Sequence, residues 1–290
     1  MTAADILSRD AFLLTIELRI FWFVALLYGI SFLAGIGYLL TARETTGKTL
    51  TRLLWISAAA HTILIIFIAI EGQRPPFQTL YETLSWFAWS ANITYLFIQA
   101  KWKNIHFPGI MVAGISMAAC LYSLFTRSPE IIPLPPALQS PWYEVHVIAA
   151  FLAYAVFVVS FAVEITHLIF ERRFKNIAPS FGLPFEGFHR YSHRLVLFGF
   201  PLLTFAVFSG AAWANDAWGR YWSWDPKETW SLITWTVYAM FLHTRAMARW
   251  RGNVSSALNI LGFICMIMTF LGVNWLAKLL SIPSMHTYAV

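Results

Sequence analysis

With 290 residues, 59% of them hydrophobic and only 12% charged, the chain lies far from a soluble domain, which carries roughly 25% charged residues. Its charged residues gather at intervals and leave apolar gaps about as long as a bilayer is thick, so the composition predicts an all-α, polytopic integral membrane protein. The net charge of +6 calls for no nucleic acid, because Lys and Arg collect in loops on one side.

Eight transmembrane helices are expected. The first runs about 17–41, the second 53–71, and the third 78–100 after the Pro75-Pro76 break; the fourth covers about 107–126. A proline-rich outer loop spans 127–141. The fifth helix runs about 142–171, the sixth 192–213, the seventh 226–250 and the eighth 254–277. The whole chain, 1–290, reads as a single membrane domain. Asp5, Asp10 and Glu17 interrupt the start, so no cleavable signal peptide is expected. Cys120 and Cys265 fall inside apolar spans as packing residues, and no Cys-x-x-Cys motif suggests redox chemistry.

Basic residues set the orientation. Arg43, Lys48 and Arg52 lie in the first loop, Lys101 and Lys103 in the third, Arg172, Arg173 and Lys175 in the fifth, and Arg249 and Arg251 at the end of the seventh helix. The even-numbered loops hold few. Odd loops therefore face the cytoplasm, and both termini face outward.

Residues 213–235 read WANDAWGRYWSWDPKETWSLITW, with tryptophan at 213, 218, 222, 224, 230 and 235. Asp225 suits a helix N-cap, Pro226 a first helical position, and Glu228 completes the spacing of a capping box. Residues 213–228 thus read as an outward-facing tryptophan-rich loop before a new helix. Indole settles at membrane interfaces as an aromatic belt, and a cluster of indoles can also grip a flat ligand by stacking. Asp225 is open between a capping role and a functional one.

The histidines sort by depth. His146, near the outer end of helix five, and His286, in the outer tail, flank the indole cluster. His243 lies about fifteen residues into helix seven, roughly 22 Å from its outer end. His61 is near the middle of helix two. Ionisable groups within spans are rare and face polar interiors, although a buried histidine can also serve only as a helix–helix hydrogen-bonder. Neutral imidazole is a good iron ligand, and two imidazoles on opposite faces of a porphyrin make six-coordinate iron. No zinc-binding cluster, phosphate loop or activated nucleophile is readable, so no catalytic residue is assigned.

WGRYWSWDPKETWSLITW resembles the WWD signature of haem-handling membrane proteins in cytochrome c maturation, closest to the CcsA (ResC) type of system II. PPFQTLYETLSWFAW at 75–89, ALQSPWYEVHV at 137–147, FLHTR around His243, and Gly-Val-Asn at 272–274 followed by His286-Thr287-Tyr288 resemble further elements of that family. The interval between Asn274 and His286 is longer than in the family pattern, and Thr287 stands in place of its serine.

The resemblance implies a haem-presenting subunit of a cytochrome c synthetase, joining haem b to the Cys-x-x-Cys-His motif of an apocytochrome c. By carry-over, His146 and His286 would be axial ligands of an external haem resting on Trp218, Trp222, Trp224 and Asp225. His243 would be one ligand of a membrane haem, with the opposing ligand from a CcsB (ResB) partner or from His61. The expected location is a bacterial plasma membrane or a thylakoid membrane. Two other functions stay open: a CcmC-like carrier delivering haem to a soluble chaperone, and a structural or quinone-handling respiratory subunit.

Overall fold

The computed structural model describes residues 3–102, 105–126, 135–173, 188–247 and 252–280. Their regular elements are all helical, with no strand among the described residues. In order they form α1 (Ala3–Thr41), α2 (Glu44–Gly72), α3 (Leu80–Lys101), α4 (His106–Thr126), a 3₁₀ turn (Pro136–Leu138), α5 (Pro141–Arg173), α6 (Phe188–Trp218), α7 (Pro226–Ala246), α8 (Asn253–Ile267), a π-helical turn (Met268–Gly272) and α9 (Val273–Leu280). The stretches Ala11–Thr41, Glu44–Gly72, His106–Phe125, Pro141–Phe170, Arg190–Trp218 and Asn253–Leu276 are long and apolar enough to cross a membrane. The chain is therefore a multi-pass membrane protein. α3 and α7, with 22 and 21 residues, match a bilayer in length but are more polar.

The helices group into two compact units, residues 1–133 and 134–290. In the first, α1 packs on α2 and α4, and α3 on α2 and α4. Its apolar interior is built on Phe21, Leu54, Leu64 and Tyr81. A polar thread runs through that interior. Asn92 Nδ2 donates to the Tyr28 hydroxyl (3.3 Å), which lies 3.1 Å from His61 Nδ1, and His61 Nε2 lies 2.8 Å from Ser85 Oγ. The start of α3 is fixed by Glu82. Its carboxylate accepts from Arg74 at 3.1 and 2.9 Å and from the Gln78 amide at 2.7 Å, while Thr79 caps the Glu82 amide at 3.1 Å. The 75–89 segment is thus a helix start held by a buried, hydrogen-bonded ion pair.

In the second unit α5 packs on α6 and α8, and α7 on α6 and α8. α5 begins where the Ser140 side chain accepts from the Trp142 amide at 3.2 Å. α6 runs through Trp218, beyond its expected end near 213, because Ala214 to Ala217 contain no helix breaker. It stops at Gly219, whose φ of +72° and amide bond to the Asn215 carbonyl (2.8 Å) make a left-handed C-cap. A buried carboxylate, Glu164 on α5, joins three helices: Ser192 Oγ of α6 donates to it at 2.5 Å and Ser256 Oγ of α8 donates to its other oxygen. Beside it Asn259 Nδ2 donates to Ser160 Oγ at 2.9 Å.

Candidate functional site

The N-terminal end of α5, the C-terminal end of α6 and the N-terminal end of α7 meet at one end of the second unit. Contacts between His146 and Ala206, and between Ser140 and Asp216 (2.9 Å), show that α5 and α6 run antiparallel there. Residues 219–225 link α6 to α7 at the same end. The expected tryptophan loop is therefore partly helix: Trp213 and Trp218 sit on α6, and Trp222 and Trp224 in the link.

His146 is half-buried, and its Nδ1 lies 2.7 Å from the carbonyl oxygen of Ala206. A carbonyl only accepts, so Nδ1 carries the proton and donates. In the neutral ring the lone pair is then on Nε2, the arrangement a metal-binding imidazole needs. The ring lies 16° from parallel to Trp213, centroids 6.0 Å apart. Trp213 is buried, and its Nε1–H donates to the Ala137 carbonyl at 2.7 Å, tying α6 to the 3₁₀ turn. Tyr143 and Trp218 pack on Trp213 with ring centroids 5.2 and 5.0 Å away.

The indoles divide by role. Trp235 donates from Nε1 to Thr204 Oγ1 at 2.9 Å and joins α7 to α6. Trp222 and Trp224 form an edge-on pair, 5.8 Å apart and 87° between planes, and Trp224 is 68% exposed. Trp224 also has a φ of +59°, rare and strained for a bulky residue. Asp225 caps α7: its Oδ1 accepts from the Lys227 amide at 2.9 Å, and Glu228 Oε2 accepts from the Asp225 and Ser223 amides at 3.2 and 2.7 Å.

The other candidate histidines lie elsewhere. His243 is exposed near the opposite end of α7. His61 belongs to the interior of the first unit, with both ring nitrogens hydrogen-bonded. Tyr28 and Ser85 are hydroxyls that can each donate or accept, so in either neutral tautomer one ring nitrogen donates and the other accepts. The His61 lone pair is thereby engaged. His286 lies outside the described residues.

Sequence inspection did not single out Ala206 and Gly210. Ala206, Gly210 and Trp213 fall at i, i+4 and i+7, one face of α6, and small residues there admit the His146 ring. That spacing was the available signal; the acceptor itself is backbone and leaves no side-chain trace.

Residues 77–281 match the family model described as cytochrome c assembly protein. This chain belongs to the cytochrome c assembly family, in its CcsA type. It is 34% identical over 250 residues to the cytochrome c biogenesis protein CcsA of Guillardia theta, covering 78% of this chain and 81% of that one. The CcsA of Marchantia polymorpha is 33% identical over 270 residues, covering 78% and 82%. That of Chlamydomonas reinhardtii is 32% identical over 237 residues, covering 79% of this chain and 66% of its own length. Among solved structures, the cytochrome c haem lyase CcmF shares the fold with a TM-score of 0.71 at 17% identity, over 90% of this chain. The chain spans 46% of that protein's length. As a member of the assembly family it has a role in cytochrome c biogenesis.

Proposed function

We propose that this chain binds haem b as substrate at the α5–α6–α7 end of its second unit and presents it to apocytochrome c, as the membrane subunit of a system II cytochrome c synthetase. The observation that carries the reading is His146, its Nδ1–H held by the Ala206 carbonyl beside a cluster of indoles. That donor set fits iron: a neutral imidazole with its Nε2 lone pair, next to flat apolar faces. His286 supplies the second axial ligand from the tail. Trp218, Trp222 and Trp224 cover the porphyrin, and Asp225 sets where the link turns into α7.

In this reading α3 and α7 cross the bilayer with the six apolar helices, giving eight spans of one membrane domain with both termini and the site end outward. The positive-inside distribution of Lys and Arg supports that orientation. The membrane is a bacterial plasma membrane or a thylakoid membrane. His243 ligates a membrane haem opposite a ring from a CcsB-type partner, and His61, its nitrogens engaged, is assigned to packing. The chemistry is positioning. Each acceptor cysteine S–H adds across a vinyl C=C, sulfur to one carbon and hydrogen to the other, and holding the partners together lowers the entropic cost of encounter.

The test is a haem spectrum of the purified chain, with and without its partner, alongside holocytochrome yield. His146→Ala and His286→Ala are expected to lose the outer haem and cytochrome assembly together. Normal yield in both would refute the ligand assignment. Haem loading without thioether formation, with haem passing to a soluble chaperone, would mark a carrier instead.

A further inference from the structure

We infer that Trp213, Gly210 and the Ala206 carbonyl form a positioning device that sets the tautomer, tilt and depth of the His146 ring before any ligand arrives, and that Trp213 acts through His146 without facing the porphyrin. The inference rests on the reading of His146 as an iron ligand.

Each element constrains a different degree of freedom. The Ala206 carbonyl, at 2.7 Å, fixes the proton on Nδ1 and so the lone pair on Nε2. The Trp213 indole, 16° from parallel, sets the ring plane. That indole cannot swing, because its Nε1–H is bonded to the Ala137 carbonyl at 2.7 Å and Tyr143 packs against it at 5.2 Å. Gly210 sets the depth: a Cβ there would lie 2.7 Å from His146 Nδ1 and 2.8 Å from Cε1, closer than any real contact. Any side chain at 210 pushes the ring off the Ala206 carbonyl. Trp213 is 3% exposed, so its surface is spent on protein neighbours, unlike that of Trp224. Losing a group that orients a metal-binding imidazole typically costs about 10- to 100-fold in affinity.

A purely structural Trp213 would change how much protein accumulates and leave the outer haem unaltered in what does. The experiment therefore reads the haem: spectrum, midpoint potential and haem affinity of the purified full-length chain with its partner. Gly210→Ala and Trp213→Leu are expected to turn the outer haem from low-spin to high-spin and weaken its binding about 10- to 100-fold. Added imidazole should restore the low-spin spectrum in both. Trp213→Phe, which keeps a ring but loses the bond to Ala137, should fall between them and wild type. It carries the test if another variant fails to accumulate. Wild-type spectra and potentials in these variants, while His146→Ala loses the outer haem, would overturn the positioning role alone. An unchanged outer haem in His146→Ala would overturn the iron-ligand reading, and this inference with it.

Discussion

Glu228 Oε2 holds the Ser223 amide at 2.7 Å and the Asp225 amide at 3.2 Å, so one carboxylate grips both neighbours of Trp224. The backbone between those amides cannot relax, and Trp224 stays at φ +59° with its indole 68% exposed. The left-handed conformation costs a non-glycine residue about 1–2 kcal/mol. Strain of this kind, paired with an exposed aromatic ring, argues for use of the ring outside the fold. Trp224→Gly should therefore raise the thermal unfolding midpoint in detergent, by up to about 1 kcal/mol of stability, and lower holocytochrome yield. A glycine variant with full yield would remove Trp224 from the haem surface.

Asp225 separates a cap from a chemical group by one substitution. It is buried, and its Oδ1 accepts from the Lys227 amide at 2.9 Å. Asn caps about as well as Asp, whereas Ala gives up roughly 0.5–2 kcal/mol. If capping is the whole role, Asp225→Asn should retain near wild-type stability and cytochrome assembly, and Asp225→Ala should lose both in part. Loss of assembly in Asp225→Asn at unchanged stability would show that the charge itself is needed.

His61 gives the opposite pattern. It is fully buried between Tyr28 and Ser85 in the first unit. Ser85→Ala leaves His61 Nε2 without its hydrogen-bond partner, at a cost of about 1–3 kcal/mol. His61→Phe removes the imidazole while filling most of the space, and strands the Tyr28 hydroxyl. Both should lower the unfolding midpoint and leave haem stoichiometry per chain as in wild type. A His61→Phe protein of normal stability that has lost one haem would make His61 a ligand after all.

Much of this molecule is legible in the sequence, for local reasons. Asp225-Pro226-Lys227-Glu228 encodes its own helix start, and the structure forms the complete capping box. The Thr79/Glu82 box needed a partner outside the box, Arg74, eight positions earlier, to show why that glutamate is buried. Helix ends were harder: α6 outruns its expected end because Gly219, and not the tryptophan run, carries the stop signal. Side-chain types marked His146 and the indoles, but the Ala206 carbonyl that orients His146 is a backbone atom sixty positions away in the chain. Glu164 was likewise silent, since the serines that satisfy it come from α6 and α8.

His243 lies on an exposed stripe of α7 with Thr236 and Met240, at i, i+4 and i+7. If α7 crosses the bilayer, as proposed, a histidine on that stripe is unfavourable unless something polar or metallic meets it. A ring from a partner, sandwiching a membrane haem, is the occupant that the family resemblance implies. His243→Leu should then cost the isolated chain nothing: its unfolding midpoint should stay within about 0.5 kcal/mol of wild type or rise. The complex with the partner should lose its membrane haem while His146-dependent spectral features persist. The check is haem per complex by pyridine haemochrome, measured for His243→Leu, His146→Ala and the double variant. Additive losses from the two single variants mean two separate haem sites. Equal losses in all three mean one shared haem, which would remove His243 from a site of its own.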